Sequence, residues 1–141
     1  MTVPSASIPR PRPDDTAVVT KRSTRSVNET VSHLTELIHA KGMRLFATID
    51  QSAEAQHVGL KLRETVLVIF GDPGSGTAVM SAVPLAALDL PLKILVWADD
   101  DHTNVSYTAP AELARRYGLS TDLASRLAGI ENLTDAVRSA I

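Results

Sequence analysis

Residues 67–97, LVIFGDPGSGTAVMSAVPLAALDLPLKILVW, decide the fold. The apolar runs Val66 to Phe70 and Leu92 to Trp97 are each the length of a buried strand. Between them lie a glycine-rich turn, a short helical pattern and a proline-bounded loop. Moving outward, Asp99, Asp100, Asp101 and His102 form a polar turn, and Thr103 to Thr108 alternates with Val105 and Tyr107 on one side. Leu92 to Thr108 therefore reads as a β-hairpin, with Trp97 and Tyr107 expected to face each other across it. Upstream, Met43, Leu45, Ala47 and Ile49 alternate on one face of a strand running to Asp50, and Ser52 to Val58 reads as a short helix closed by Gly59.

Further out, Ser26 and Glu29 have the spacing of a capping box. The helix it starts carries Val27, Val31, Leu34 and Ile38 as an apolar stripe, turns His33, Glu36 and His39 away from it, and stops at Gly42. Thr16 to Lys21 supplies a first strand. Beyond the hairpin, Pro110 opens a helix through Tyr117 that Gly118 ends. Leu123, Leu127, Ile130, Leu133, Val137 and Ile141 then mark one last helix with Gly129 as a weak point or kink. Strands and helices alternate without a regular βαβ rhythm. The expected architecture is an α+β single-domain sandwich over residues 16–141, a mostly antiparallel sheet of four or five strands covered by helices. Residues 1–15 hold four of the eight prolines, interleaved with Arg10 and Arg12, and read as a disordered tail.

A chain of 141 residues suits one domain. A net charge of -2 and a pI near 6.0 offer nothing for a nucleic-acid backbone to hold. Cysteine is absent, which removes disulfides, thiolate nucleophiles and thiolate metal ligands together. No apolar run is long enough to span a bilayer and the N-terminus lacks an apolar block of signal-peptide length, so the expectation is a cytoplasmic protein without membrane contact.

Gly71 to Thr77, GDPGSGT, has the glycine spacing of a phosphate-binding loop and its threonine, but no lysine precedes Thr77, and Asp72 puts a negative charge in the cradle. The structural reading is a strand-to-helix turn whose glycines supply positive φ and whose N-cap is Ser75, with a backbone nest for a small anion as an intermediate. The aspartates before His102 lack the alternate spacing of a calcium loop, and His33 and His39, six apart, are not placed to share a metal; no metal site is expected. Asp89 and Lys93 flank Pro91 at the mouth of a strand, where they form a structural pair or bind an anion.

Specific residues carry a resemblance: FGDP at Phe70 to Pro73, Gly76–Thr77, Met80, LDLPLK from Leu88 to Lys93, Val96–Trp97, Ser106–Tyr107 and LARRYGL from Leu113 to Leu119. From about Val27 onward the chain resembles the domain of unknown function 302 family of small bacterial proteins. The resemblance implies an α+β fold and a homodimer; it implies no reaction. Two positions depart from the family pattern, Asp72 where the family has FGNP and Gln51 where a histidine often follows the aspartate, here Asp50.

Three readings of function remain. The first is a homodimer binding a small anionic or organic molecule through Gly71, Asp72, Gly74, Gly76, Thr77, Asp89 and Lys93. The second is a small acid/base enzyme using Lys93 with Asp50, Asp72 or Asp89. The third is a structural or partner-binding module without a ligand. No cofactor and no catalytic residue is assigned.

Overall fold

The computed structural model describes residues 17–138. Its elements are β1 (Val18–Ser23), α1 (Val27–Ala40), β2 (Arg44–Asp50), α2 (Gln51–His57), β3 (Thr65–Gly71), α3 (Pro73–Ala82), a 3₁₀ turn (Pro84–Leu88), β4 (Leu92–Asp99), β5 (His102–Thr108), α4 (Pro110–Tyr117), α5 (Thr121–Ser125) and α6 (Gly129–Arg138). Among the described residues the five strands form one antiparallel sheet in the order β1-β5-β4-β3-β2. The expected α+β class and hairpin are both present. The proline-rich stretch 1–15 lies outside the described residues.

The Ser26 half of the capping box forms as the sequence predicts, while the Glu29 carboxylate takes the Ser26 hydroxyl in place of its backbone N–H. Ser26 Oγ accepts from the Glu29 N–H at 3.1 Å and donates to Glu29 Oε1 at 3.1 Å, satisfying a backbone donor that the first turn of α1 leaves free. Val27, Thr30, Leu34 and Ile38 are the buried residues of α1. Val27, Leu34 and Ile38 join Ile130, Leu133 and Val137 of α6 against Val66, Val68, Phe70, Ile94, Val96 and Val105 of the sheet. Each fully buried Leu, Ile, Val or Phe contributes about 1.5–3 kcal/mol, so this face, the larger of the two core clusters, is a main source of stability.

Lys21 ties β1 to α6 inside that layer. It stands opposite Val105 on the helix-covered face and is 9% exposed. Its ammonium donates to Thr134 Oγ1 at 2.8 Å, pairs with Asp135 at 2.9 Å and Glu131 at 3.3 Å, and lies 5.2 Å from the centre of the Tyr107 ring. Burial pulls its pKa down, but the contacts with Tyr107, Asp135 and Glu131 outweigh it and hold the pKa above the ordinary lysine value.

Three expectations are corrected. First, β2 does not keep Leu45, Ala47 and Ile49 on one face, because its register against β3 shifts between Leu45 and Ala47. Leu45 pairs with buried Phe70, whereas Ala47 and Ile49 pair with Ile69 and Leu67 on the opposite face. The extra residue, Phe46, is a β-bulge that breaks the period-two alternation. Second, Trp97 and Tyr107 do not face each other. Trp97 is opposite Asn104 and Tyr107 is opposite Val19 on the other strand, which puts the two rings on opposite sides of the sheet. Third, the last helix is two helices. α5 ends before Arg126, and Gly129 opens α6 instead of kinking a continuous helix.

A second cluster, Val79, Ala86, Leu113 and Leu127, with Leu90, Leu92 and Tyr117 beside it, joins α3, the 3₁₀ turn, α4 and the junction of α5 with α6. The face of the sheet that carries Leu67, Ile69, Leu95 and Trp97 forms no core cluster among the described residues, and each of these side chains remains partly exposed.

Candidate functional site

Asp72 follows β3 directly and is the N-cap of α3, with Pro73 in the first helical turn, where its missing N–H costs nothing. Asp72 Oδ1 accepts from the Gly74 N–H at 3.1 Å, and Ser75 Oγ donates to Asp72 Oδ2 at 3.0 Å. Ser75 is therefore inside the helix, and the cap expected of it belongs to Asp72. The glycines of GDPGSGT do not supply positive φ either; among the described residues the glycines with positive φ are Gly42, Gly59 and Gly118. GDPGSGT thus runs from the end of β3 into the first turn of a helix whose Gly74 N–H is met by the chain's own carboxylate. An anion approaching there would meet a negative charge already in place.

Beside this turn lies a cavity of about 250 Å³. Its walls are mainly apolar: Phe46 from the bulge, Met80 of α3, Leu90, Pro91 and Leu92 at the entry to β4, and Leu127. Asp72, Ser75 and Thr77 supply polar groups on the α3 side, and Arg126 supplies another. Backbone passes close to the cavity at Gly71 and Gly76. A Cβ at Gly71 would meet Pro91 at 3.8 Å and Phe46 at 3.9 Å, and one at Gly76 would meet the Met80 methyl at 3.8 Å. The bulge is what turns Phe46 toward this end of the sheet.

Asp89 and Lys93 are separate from that cavity. They line a smaller recess of about 70 Å³ with Leu92, Thr108, Leu113 and Ile130. The expected pairing of Asp89 with Lys93 is not the one that forms. Asp89 accepts from the Tyr117 hydroxyl and from Arg116 Nη1 at 2.8 Å, while Lys93 Nζ donates to the Pro91 carbonyl at 3.4 Å. The Tyr117 bond holds the Asp89 carboxyl below its ordinary pKa, with burial opposing and the charges of Arg116 and Lys93 assisting. Asp50 is occupied at the start of α2, where its Oδ1 accepts from Ser52 Oγ at 2.6 Å and from the Ala53 N–H at 2.9 Å. The Ser52 bond is the main reason that its pKa is lowered. Asp50 pairs in register with Val66, and Lys93 with Ile69 on the other face of β3.

Of the residues singled out from the sequence, Gly71, Asp72, Gly76 and Thr77 come together around one cavity. Gly74 does not line it, and Asp89 and Lys93 lie apart. Phe46, Met80, Leu92 and Leu127 are the wall residues that sequence reasoning did not assign to a site, because nothing in a sequence separates an apolar cavity wall from an apolar core.

Residues 19–139 match the family described as Domain of unknown function DUF302. The chain belongs to the DUF302 family. A solved structure of this family, the crystal structure of an uncharacterized conserved DUF302 protein from Bacillus stearothermophilus, shares the fold with a TM-score of 0.74 at 21% identity, over 86% of this chain and 95% of that one. Among curated proteins, the chain is 38% identical over 113 residues to one named fluoride-specific ion channel FluC 1 from Brucella suis, covering 78% of this chain and 44% of that protein. It is 38% identical over the same length to a protein of that name from Brucella abortus, of which it covers 42%. The chain thus spans less than half the length of the curated relatives it matches. No helix among the described residues is long and apolar enough to cross a membrane. The two departures from the DUF302 pattern also find a structural context. Aspartate and asparagine cap helices about equally well, so Asp72 keeps the cap while adding a charge. Gln51 is exposed on the first turn of α2.

Proposed function

We propose that this DUF302 domain acts as a homodimer that binds a small, mainly apolar organic molecule in the cavity between the bulge of β2, the start of α3 and the entry to β4. The supporting observation is the cavity itself, about 250 Å³ with apolar walls and a few polar side chains gathered on the α3 side. The Asp72 carboxylate favours a ligand with a neutral or cationic head over an anionic one. The acid/base reading has less support, since Asp50 and Asp72 each serve a helix cap, Asp89 serves an ion pair with Arg116, and Lys93 Nζ donates to the Pro91 carbonyl rather than to any of them.

The test is a titration of the labelled protein with small aromatic and aliphatic fragments, indole among them, read by NMR at the Met80 methyl and the Leu92 and Leu127 methyls. Fragments should shift these signals together. Gly76→Leu, which fills the cavity from a position where a Cβ has room, should weaken binding at least tenfold. If no fragment in the panel moves these signals, or if Gly76→Leu leaves affinity unchanged, the cavity is not a binding site.

A second reading draws on the relatives named as fluoride-specific ion channels. The domain is then a companion module of a fluoride channel, and this chain works by docking on such a protein. Co-expression with a fluoride channel and affinity capture through a tag on this chain tests that reading. Absence of co-purification from membranes solubilised in mild detergent argues against it.

A further inference from the structure

The sheet face left without a core cluster has a pattern of its own. β4 alternates Ile94 and Val96 into the helix-covered core, so Lys93, Leu95, Trp97 and Asp99 stand in a row on the other face. The row is basic at one end, apolar in the middle and acidic at the other, and spans about 20 Å at the usual rise per residue. Columns beside it are equally ordered. On the β3 and β2 side the face carries Leu67, Ile69, Ala47 and Ile49; on the β5 and β1 side it carries Asn104, Ser106, Thr20 and, at the outer strand, the exposed Arg22. The polar groups on that side are largely bonded to one another. Trp97 Nε1 donates to Ser106 Oγ at 2.9 Å, and Thr20 Oγ1 lies 2.9 Å from the same oxygen.

We infer that this face is where two copies of the chain meet, sheet on sheet, about a two-fold axis that crosses β4 at right angles near Val96. This rests on the homodimer in the function proposed above and assigns its interface. The charge pattern selects the occupant and the axis together. A two-fold axis across the strands reverses each strand over its own copy. It sets Lys93 over the partner's Asp99, and Leu95 over the partner's Trp97, twice each. The apolar columns then meet apolar columns and the polar ones meet polar ones. An axis along the strands would instead stack Lys93 on Lys93 and lay apolar columns over polar ones. Packed sheets sit about 10 Å apart with strands within about 30° of each other, a gap that an aspartate and a lysine can close once Lys93 Nζ exchanges its long 3.4 Å bond to the Pro91 carbonyl for the partner's carboxylate. Asp99 also lies 3.8 Å from Arg63, and both side chains are 41% exposed, so the carboxylate stays open to a second cation.

Sedimentation velocity on the full chain tests this with charge reversals. Lys93→Glu and Asp99→Lys should each weaken the dimer at least tenfold, and the two together should restore most of the loss, which no merely destabilising change would do. Leu95→Asp should give monomers that keep the wild-type circular dichroism. Dimers whose affinity ignores these substitutions would overturn the interface while leaving the dimer in place. Failure of the double reversal to restore association would overturn the chosen axis. Monomers only, at tens of micromolar, would remove the dimer altogether without touching the cavity, which is read separately by NMR. If the chain beginning at Ala17 dimerises and the full chain does not, the face is covered by residues 1–16 and the inference is wrong.

Discussion

Replacing Asp89 by asparagine measures what holds the entry to β4 onto α4. The carboxylate accepts from the Tyr117 hydroxyl and from Arg116 Nη1, and asparagine keeps the shape and one acceptor while removing the charge. A hydrogen bond to a charged group contributes about 1.5–3 kcal/mol. The Asp89 and Arg116 side chains are 31% and 41% exposed, so solvent screens much of the ionic part. The expected loss for Asp89→Asn is therefore about 1–2 kcal/mol at pH 7, or about 3–6 °C in Tm for a domain of this size. The pH dependence follows from the sign of the shift. The folded-state pKa of Asp89 lies below the ordinary value, first because of Tyr117. The stabilisation is thus complete above about pH 4 and disappears as pH falls through the folded value. Urea unfolding of wild type, Asp89→Asn, Tyr117→Phe and the double variant should show a coupling of about 1 kcal/mol at pH 7. Once pH falls below the lowered folded-state value, the wild type and Asp89→Asn should converge. Additive single effects, or a gap that persists undiminished in acid, would refute the ion-pair account of this contact.

Lys21→Met keeps the length of the buried side chain and leaves behind carboxylates that are 44% and 59% exposed and can take up water. Urea denaturation should show a loss of about 1–2 kcal/mol, less than the 3–5 expected when a charge is stranded in a core. Because the folded-state pKa of Lys21 is raised, this contribution should persist up to the ordinary lysine pKa and fade only as pH rises through the folded value. Gly118→Ala places a side chain at φ 59, the left-handed residue that ends α4, and should cost about 1 kcal/mol by thermal melting. Removing residues 1–15 should change Tm by less than about 1 °C, since that stretch has no apolar face to bury; a drop of several degrees would show that it packs on the domain.

The parts of the fold legible in the sequence are those set by neighbours a few residues apart. Ser26 with Glu29, Gly118 after Tyr117 and the polar turn before His102 are local signals, and each element appears where its signal lies. The bulge left no such signal, because Leu45, Ala47 and Ile49 continue a perfect alternation and only the pairing partner on β3 reveals the slip. Asp72 rather than Ser75 as the cap was readable in principle. Both residue types cap well, but Pro73 fits the first helical turn and places the cap just before it. Contacts that bring distant stretches together, such as Lys21 with Glu131 or Asp89 with Tyr117, depend on how the helices lie across the sheet, which no spacing encodes. The same limit hid the cavity. GDPGSGT drew notice for its glycines, yet what it borders is formed by Phe46, Leu92 and Leu127 from remote segments.

The bulge at Phe46 also bears on how the protein survives at high concentration. β2 is an outer strand, and a regular outer strand offers a row of unpaired amides and carbonyls on which foreign strands can grow into fibrils. Midway along β2 that row loses its even spacing, and exposed Arg44 and Asp50 stand at its two ends. An incoming strand can match only part of the edge before it falls out of step. Deleting Phe46 would restore the even spacing, and the variant should nucleate amyloid-like aggregates faster than the parent under shaking, even where its native state still forms.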